Sequence, residues 1–600
     1  MKEMENIKGF APDTVVAVRE AQARQRAASR REAQARQRAA SRNDRRRSHK
    51  LWIAGGHRPP LQLKGPTSHP FCGKPLQEKF CLAAFLCIWF AISSFAGTSD
   101  VADAAMNKNA AAVRALIQQK ANVNAPQADG TTALHWAARW DDLDMAAVLI
   151  QAGANSQAAN RTGATPMFLA AVNGSATMIE SLLKAGADPN APVLSHGETA
   201  LMMAARTGKL DAVKVLVSHG AGVQEKEDLR GTDALMWAAE QGHSAVVKFL
   251  LDNGADVDAQ SKIIRPVRRN GLGFARPSPD GKPNGEPMGA LTPLLFAARE
   301  GSIETVRVLV AAGAKVNKTS LDGSGPLLVA VQNGHYEIAR FLLDRGADPN
   351  QANTKGWTPL YLAVSNRDAL TTAVPPPASD GALDFIKLLL DRGANPNRRI
   401  QVHTEVHQAN NSLWLKEDGA TPLLRAALCG DLTVVQLLLA RGADPSIPTF
   451  DQTTPLMVAS GVGWAEGFTF QYSEDETLEL VKLLLDFGAG INSANEDGLT
   501  ALHGAAYKGA NKVVELLVSR GADLTARDKG KDYGFGVTSF RMTPLNWAEG
   551  VPIGMSSAIR HDETVKLIAR LMEERGIPVE YHGTFTGRKF TDAPIIEEPR

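Results

Sequence analysis

The amino-acid sequence predicts an all-α solenoid of about eleven helix-turn-helix units behind an N-terminal cap. Three observations predict it. A short signature recurs with a base spacing of 33 residues. Within each unit apolar residues follow helical spacing, as in AVVKFLLDN at 245–253. The chain is 44% hydrophobic but only 6% aromatic, so Ala and Leu supply its core and favour close-packed helices over a β-sandwich. At roughly 150 residues per domain, 600 residues would suggest about four domains. Self-similarity at a fixed period instead marks one array whose units contact only their neighbours.

In chain order, the first element is basic. The whole chain carries 66 Lys and Arg against 64 Asp and Glu, a net charge of +2, but residues 1–78 hold 17 of the former and 7 of the latter. The remainder is therefore acidic, with 49 against 57, or −8, over 79–600. A uniformly basic nucleic-acid binder and a uniformly acidic disordered chain are both excluded. Residues 20–30 (EAQARQRAASR) recur unchanged at 32–42, with too few large apolar side chains to offset chain entropy. Residues 1–78 are expected to be disordered or a solvated helix. The repetition fits either a nucleic-acid or acidic-membrane arm, or merely repetitive coding DNA.

Residues 79–98 form the second element. From Phe80 to Ser99 there is no charge, Lys79 supplies a basic flank, and Ser94 and Ala96 have the spacing of a signal-peptidase site. The segment is expected to be a signal peptide cut after Ala96, or a signal anchor if retained, its apolar core being at the short limit for a membrane span. Either way the array is expected outside the cytoplasm, secreted or periplasmic, or anchored to an inner membrane. A buried helix in a cytosolic protein is the alternative.

The array is expected over 99–576. Residues 101–124 read as a worn, helix-only cap. Signatures then begin at Thr132, Thr165, Thr199, Asp233, Thr292, Gly325, Thr358, Thr421, Thr454, Thr500 and Thr543, spaced 33, 34, 34, 59, 33, 33, 63, 33, 46 and 43 residues apart. Thr caps a helix by accepting a backbone N–H, and the following Pro or Ala occupies the first helical position, where a missing donor costs nothing. Paired alanines let a neighbouring helix approach, and a Gly such as Gly208 or Gly334 ends the first helix. The second helix stops at a Gly-Ala pair (Gly153, Gly186, Gly220 and their equivalents), whose Gly adopts the left-handed conformation. The D-x-N that follows, as at Asp188-Pro-Asn190, is turn chemistry.

Insertions interrupt the period. Two lengthen the loops between units, at 262–289 and 399–417, the second holding His403 and Trp414. Three separate the helices of units seven, nine and eleven, at 367–381, 464–476 and 550–562. That at 464–476 carries Trp464, Phe468, Phe470 and Tyr472, which are expected to pack on adjacent loops or to form a binding patch. Residues 577–600 read as a polar tail.

These residues resemble ankyrin repeats, which share the 33-residue period and the T-P-L-H-x-A motif. The resemblance covers about residues 100–576. It implies stacked antiparallel helix pairs with short fingers projecting between repeats, and a partner protein held by the finger tips and by the two residues after the paired alanines, which point into a concave groove. Carried over, those positions are Arg139 and Trp140, Val172 and Asn173, Arg206 and Thr207, Glu240 and Gln241, Arg299 and Glu300, Gln332 and Asn333, Tyr507 and Lys508, with Trp357 beside a finger glycine. Exposed Trp, Tyr and Arg are the types enriched at binding hot spots. Trp136 and Trp237 fall at a framework position and are expected in the core. At the motif's His position, His135 and His503 are expected to bond backbone across the finger.

Chemistry-bearing alternatives are weak. His403 and His407 have helical i, i+4 spacing but no third ligand nearby. Gly271-Leu-Gly273 lacks the third glycine and the strand of a phosphate loop. The four cysteines form no framework, and Cys429 reads as a small buried hydrophobe. The expectation is a non-enzymatic, monomeric scaffold that binds another protein, with no cofactor, metal or nucleic acid, and with membrane contact only through 80–96. The alternative is an enzyme or ligand-binding protein whose inserted loops converge to bring His403, Glu405 or Asp475 into one pocket.

Overall fold

The computed structural model describes residues 99–194, 196–265, 286–367, 381–402, 415–464, 473–530, 541–551 and 559–583, and the backbone of a short antiparallel pair, Phe585–Thr586 with Lys589–Phe590. Residues 1–98 lie outside this set, as does more than half of each insertion, including Gly271-Leu-Gly273, His403, Glu405, His407, Trp414, Phe468, Phe470 and Tyr472.

Among the described residues, 24 α-helices form twelve consecutive pairs, a finger-less cap (Asp100–Met106 and Ala110–Gln118) and eleven repeats. Each repeat has an inner helix, such as Ala133–Trp140, and an outer one, such as Leu143–Gln151. The starts follow the cap chemistry of the sequence. Thr165 Oγ1 accepts the Phe168 N–H at 3.2 Å, with Pro166 at the first helical position. Where the motif's His is present, the ring joins the cap: His135 Nδ1 accepts the Thr132 N–H at 3.1 Å while Nε2 lies 3.0 Å from the Ala164 carbonyl of the next finger. His503 repeats this with Thr500 and Met542. At the outer-helix ends the requirement for Gly is conformational. Gly153 has φ 87° and a Cβ there would touch nothing within 4 Å.

The paired alanines (Ala137 and Ala138, Ala204 and Ala205, Ala238 and Ala239, Ala505 and Ala506) have no exposed surface. Having little bulk, they let inner helices pack more intimately with their neighbours than outer helices do. Each outer helix buries one stripe, as with Met178, Ile179 and Leu182, worth roughly 1.5–3 kcal/mol per buried side chain. Only a neighbouring repeat can cover such a stripe.

Two polar ladders tie repeats together. Finger tips bond in series, the Arg161 N–H to the Asp129 carbonyl (2.9 Å), Lys262 to Arg230 (2.7 Å), Thr354 to Asp322 (2.8 Å) and Glu496 to Asp451 (2.8 Å). The second ladder uses the Asn that ends the D-x-N, or the Asn in its place where the Asp is replaced. Asn190 Nδ2 donates to the Gly220 carbonyl at 2.9 Å and its Oδ1 accepts the Gly222 N–H at 2.7 Å. Asn124, Asn317, Asn350, Asn397 and Asn492 repeat the clamp. The residue read as local turn chemistry is thus also an inter-repeat fastener.

Two boundaries shift. The outer helix of repeat 9, Glu474–Asp486, begins inside the 464–476 stretch because Ser473 and Glu476 form a capping box, Ser473 Oγ accepting the Glu476 N–H at 3.2 Å. The tail is not free over its first seven residues. Ile577 and Val579 pack on the core, and the buried Glu549 carboxylate accepts the His582 and Gly583 N–H groups at 2.8 and 2.9 Å. Residues 577–583 therefore close the last repeat.

Candidate partner-binding surface

The inner helices end at the groove, so the last residues of each inner helix decide what the groove offers. In repeat 1, Arg139 and Trp140 are exposed, Trp140 by 37%. Its indole lies 5.8 Å from that of Trp136 with the planes 22° apart. The Arg139 guanidinium sits 5.5 and 5.6 Å from the two ring centres, and Lys108 Nζ from the cap is 4.3 Å from the Trp140 ring. Trp136, expected in the core, is only half-buried and donates its indole N–H to Gln127 Oε1 at 2.8 Å. Trp237 is core as expected. Its N–H is bound by Thr232 Oγ1 at 2.7 Å while Arg206 stacks on the ring at 5.4 Å.

The other groove positions divide by partner. Val172 is exposed, but Asn173 Nδ2 donates back to the Ala138 and Arg139 carbonyls at 3.0 and 3.1 Å, fixing the end of the preceding helix. Thr207 bonds within its own helix. Glu240 is half-buried and held by Arg299 at 2.9 Å, and Arg299 also contacts Glu300 at 3.1 Å. Gln241 and Gln332 project outward, as does Asn333, whose amide returns to the Val329 carbonyl.

Two expected contact residues are interior. Trp357 is 5% exposed. Its N–H donates to the Val402 carbonyl at 3.0 Å and its ring meets Tyr361 edge-on at 5.3 Å, because residues 400–402 fold over it. Tyr507 is 2% exposed, lying between Trp464 at 5.9 Å and Trp547 at 5.7 Å. The inner helix of repeat 9 stops early, at Ser460, and residues 461–464 turn across the place the Tyr507 ring would otherwise have faced. Lys508 is half-buried and donates to Thr477 Oγ1 at 3.2 Å, with burial pushing its ammonium below the usual lysine range. Of the residues proposed to build a loop pocket, Asp475 sits in the first turn of Glu474–Asp486, 2.6 Å from Lys512 Nζ. Cys429 is buried, as expected.

Sequence reasoning missed Lys108 and Trp136. A signal for the first existed: Lys108 stands in the left-handed conformation (φ 55°) after the cap's inner helix, where later repeats carry Gly.

Stacked helix pairs with a groove of exposed side chains define a repeat scaffold. The family described as ankyrin repeats in three copies matches residues 101–193, 191–261, 294–400 and 451–528, and the single ankyrin repeat matches 418–450. The chain belongs to the ankyrin-repeat family, whose repeats are protein–protein interaction scaffolds. It is 32% identical over 108 residues to human NF-kappa-B inhibitor alpha, covering 18% of this chain and 32% of that protein. It is 54% identical over 46 residues to the Notch-regulated ankyrin repeat-containing protein of Xenopus tropicalis (8% and 40%). An ankyrin repeat protein of Acanthamoeba polyphaga mimivirus is 35% identical over 82 residues (14% and 10%). The chain therefore spans less than half the length of each of these relatives. Among solved structures, the human ASB11 ankyrin repeat domain aligns at 24% identity and a TM-score of 0.34, covering 42% of this chain and 98% of that one.

Proposed function

We propose that the chain is a non-enzymatic, monomeric scaffold that holds a partner protein in the groove of its inner helices, chiefly over the cap and repeats 1–6. The observation that carries this reading is the exposed set Arg139, Trp140, Val172, Arg206, Gln241 and Gln332 at equivalent ends of successive inner helices. NF-kappa-B inhibitor alpha, named for inhibiting another protein, is a relative whose repeats fit the same use. Alanine replacement of Arg139, Trp140 and Arg206 is expected to abolish capture of the native partner while circular dichroism stays unchanged. Undiminished capture by the folded variant would refute the groove as the binding face.

We further propose that 80–96 directs the array out of a bacterial cytoplasm, secreted or periplasmic. The support is the segment's sequence: an uncharged run behind Lys79 ending in Ser94 and Ala96. Amino-terminal sequencing of the natural product should begin near Gly97; a product that retains 80–96 would point to the anchored form.

A further inference from the structure

The array is acidic, −8 over 79–600, yet its first groove segment is cationic. Among the described residues Lys108, Arg139, Arg206 and Lys209 make no ion pair. The equivalent position in repeat 4 reverses sign: Glu240 is neutralised by Arg299 at 2.9 Å, with Arg230 at 3.9 Å, so the cationic stretch ends there. The cations are also held in place. Arg139 lies over two indoles, Lys108 over one and Arg206 over Trp237, while the stem of Lys209 crosses Gly174. A guanidinium stacked by its face keeps its N–H edges available for a carboxylate and loses little freedom on binding one. Between Arg139 and Arg206 stand Trp140 and Val172, exposed and apolar. Three carboxylates of this region are engaged or turned into the chain's own caps: Asp103 accepts the Gln127 amide at 2.6 Å, Asp142 caps the outer helix through the Met145 N–H at 2.9 Å, and Asp141 forms the left-handed end of Ala133–Trp140.

We propose that the groove of the cap and repeats 1–3 takes an extended acidic segment of a partner polypeptide, its carboxylates on Arg139 and Arg206 and an apolar side chain between them on Trp140 and Val172. This rests on the groove reading above and adds the partner's chemistry. Inner helices about 8–10 Å apart put Arg139 and Arg206, two repeats away, about 16–20 Å apart. An extended chain rising about 3.3 Å per residue spans that in five or six residues. A nucleic-acid backbone fits less well. It carries a charge at every phosphate and favours an unbroken basic track. Here the apolar Trp140 and Val172 interrupt the track between Arg139 and Arg206.

The test is fluorescence anisotropy on the full chain with a labelled heptapeptide, Glu-Glu-Ser-Leu-Ser-Glu-Glu, its all-Gln analogue, its Leu-to-Ser analogue, and polyuridylate of matched charge. The acidic peptide should bind at least tenfold tighter than the Gln analogue and several-fold tighter than the Ser analogue, weakening as salt rises. Arg139→Gln with Arg206→Gln should cost a further tenfold or more, while Lys566→Gln, on the exposed last outer helix, should cost nothing. Equal binding of the Glu and Gln peptides overturns the inference, as does polyuridylate binding more tightly through the same two arginines. A benzophenone side chain at Val172 separates this from the underlying reading. If it still crosslinks the native partner while no acidic peptide binds, the groove stands and its charge preference falls; if neither occurs, both fall.

Discussion

Asp233→Thr should stabilise repeat 4 at pH 8 and leave it unchanged at pH 4. Asp233 caps Ala234–Glu240 where nine of the eleven repeats use Thr, and its carboxylate accepts the Met236 N–H at 2.8 Å. The residue is 3% exposed, and burial outweighs that hydrogen bond and the charge of Lys226, pushing its pKa up to about 6 from an ordinary 3.8. Because the folded value lies above the unfolded one, the unfolded state gives up the proton first. Stability is complete below pH 3.8, falls as pH rises, and has lost its full increment above pH 6. At 1.36 kcal/mol per pH unit the increment is about 3 kcal/mol. The shifted value is already net of the favourable contacts at the helix N-terminus and Thr does not titrate, so Thr should gain about 3 kcal/mol at pH 8. Thr fits the site without strain. Thr199 and Thr292 cap in the same extended backbone conformation, accepting from Met202 and Leu295 at 3.4 and 3.3 Å. Because repeats can open locally, the assay is urea unfolding together with amide exchange over 234–239, comparing variant with parent at each pH. An equal gain at both pH values, or a loss at pH 8, would refute the reasoning.

His503 titrates in the opposite sense. Burial depresses it from 6.5 to about 4, so stability is lost as pH falls through that window, by about 3 kcal/mol. His503→Asn should abolish the loss, since Asn546 already accepts the Thr543 N–H at 3.0 Å in repeat 11; urea midpoints at pH 7 and pH 4 check it. Gly504→Ala should destabilise by about 1–3 kcal/mol despite the roughly 1 kcal/mol helix preference for Ala. Its Cβ would stand 2.6 Å from the Val462 backbone N, and a lower melting temperature is the readout. Arg425→Met should cost about 3–5 kcal/mol by taking the positive charge away from the buried Glu417 carboxylate, now 3.0 Å from the guanidinium. Adding Glu417→Gln, which can still accept the Tyr361 hydroxyl, should recover part of that in a double-mutant cycle.

The helix pairs were legible because their signals are local: a Thr that caps, a Pro that tolerates the first turn, a Gly that turns left-handed. Arg139, Trp140 and Arg206 followed from register alone, since among the described residues nothing buries their side chains. Trp357 and Tyr507 share that register and are nevertheless interior. What buries them comes from 45 residues ahead for Trp357, whose indole bonds Val402, and from 43 behind and 40 ahead for Tyr507, between Trp464 and Trp547. No spacing rule carries that. The Asn clamp escaped for a related reason. Its backbone role in the turn is complete within two residues, whereas its carboxamide acts on a glycine about thirty residues later, as in Asn190 to Gly220.

The insertions then acquire a role that their sequences do not show. Two of the interruptions after repeat 6 end, among the described residues, in buried side chains. Ile400 and Leu415 are buried at the edges of one, and Val462 and Trp464 at the edge of another. Repeats 7–11 consequently trade exposed groove residues for interior contacts, down to Lys508 bonded to Thr477. The cap and repeats 1–6 keep theirs open. A groove that is filled at one end and open at the other has a direction, and the cations lie at the open end. Partner recognition is therefore expected over the cap and repeats 1–6, with the acidic segment of the partner at the cations of the cap and repeats 1–3.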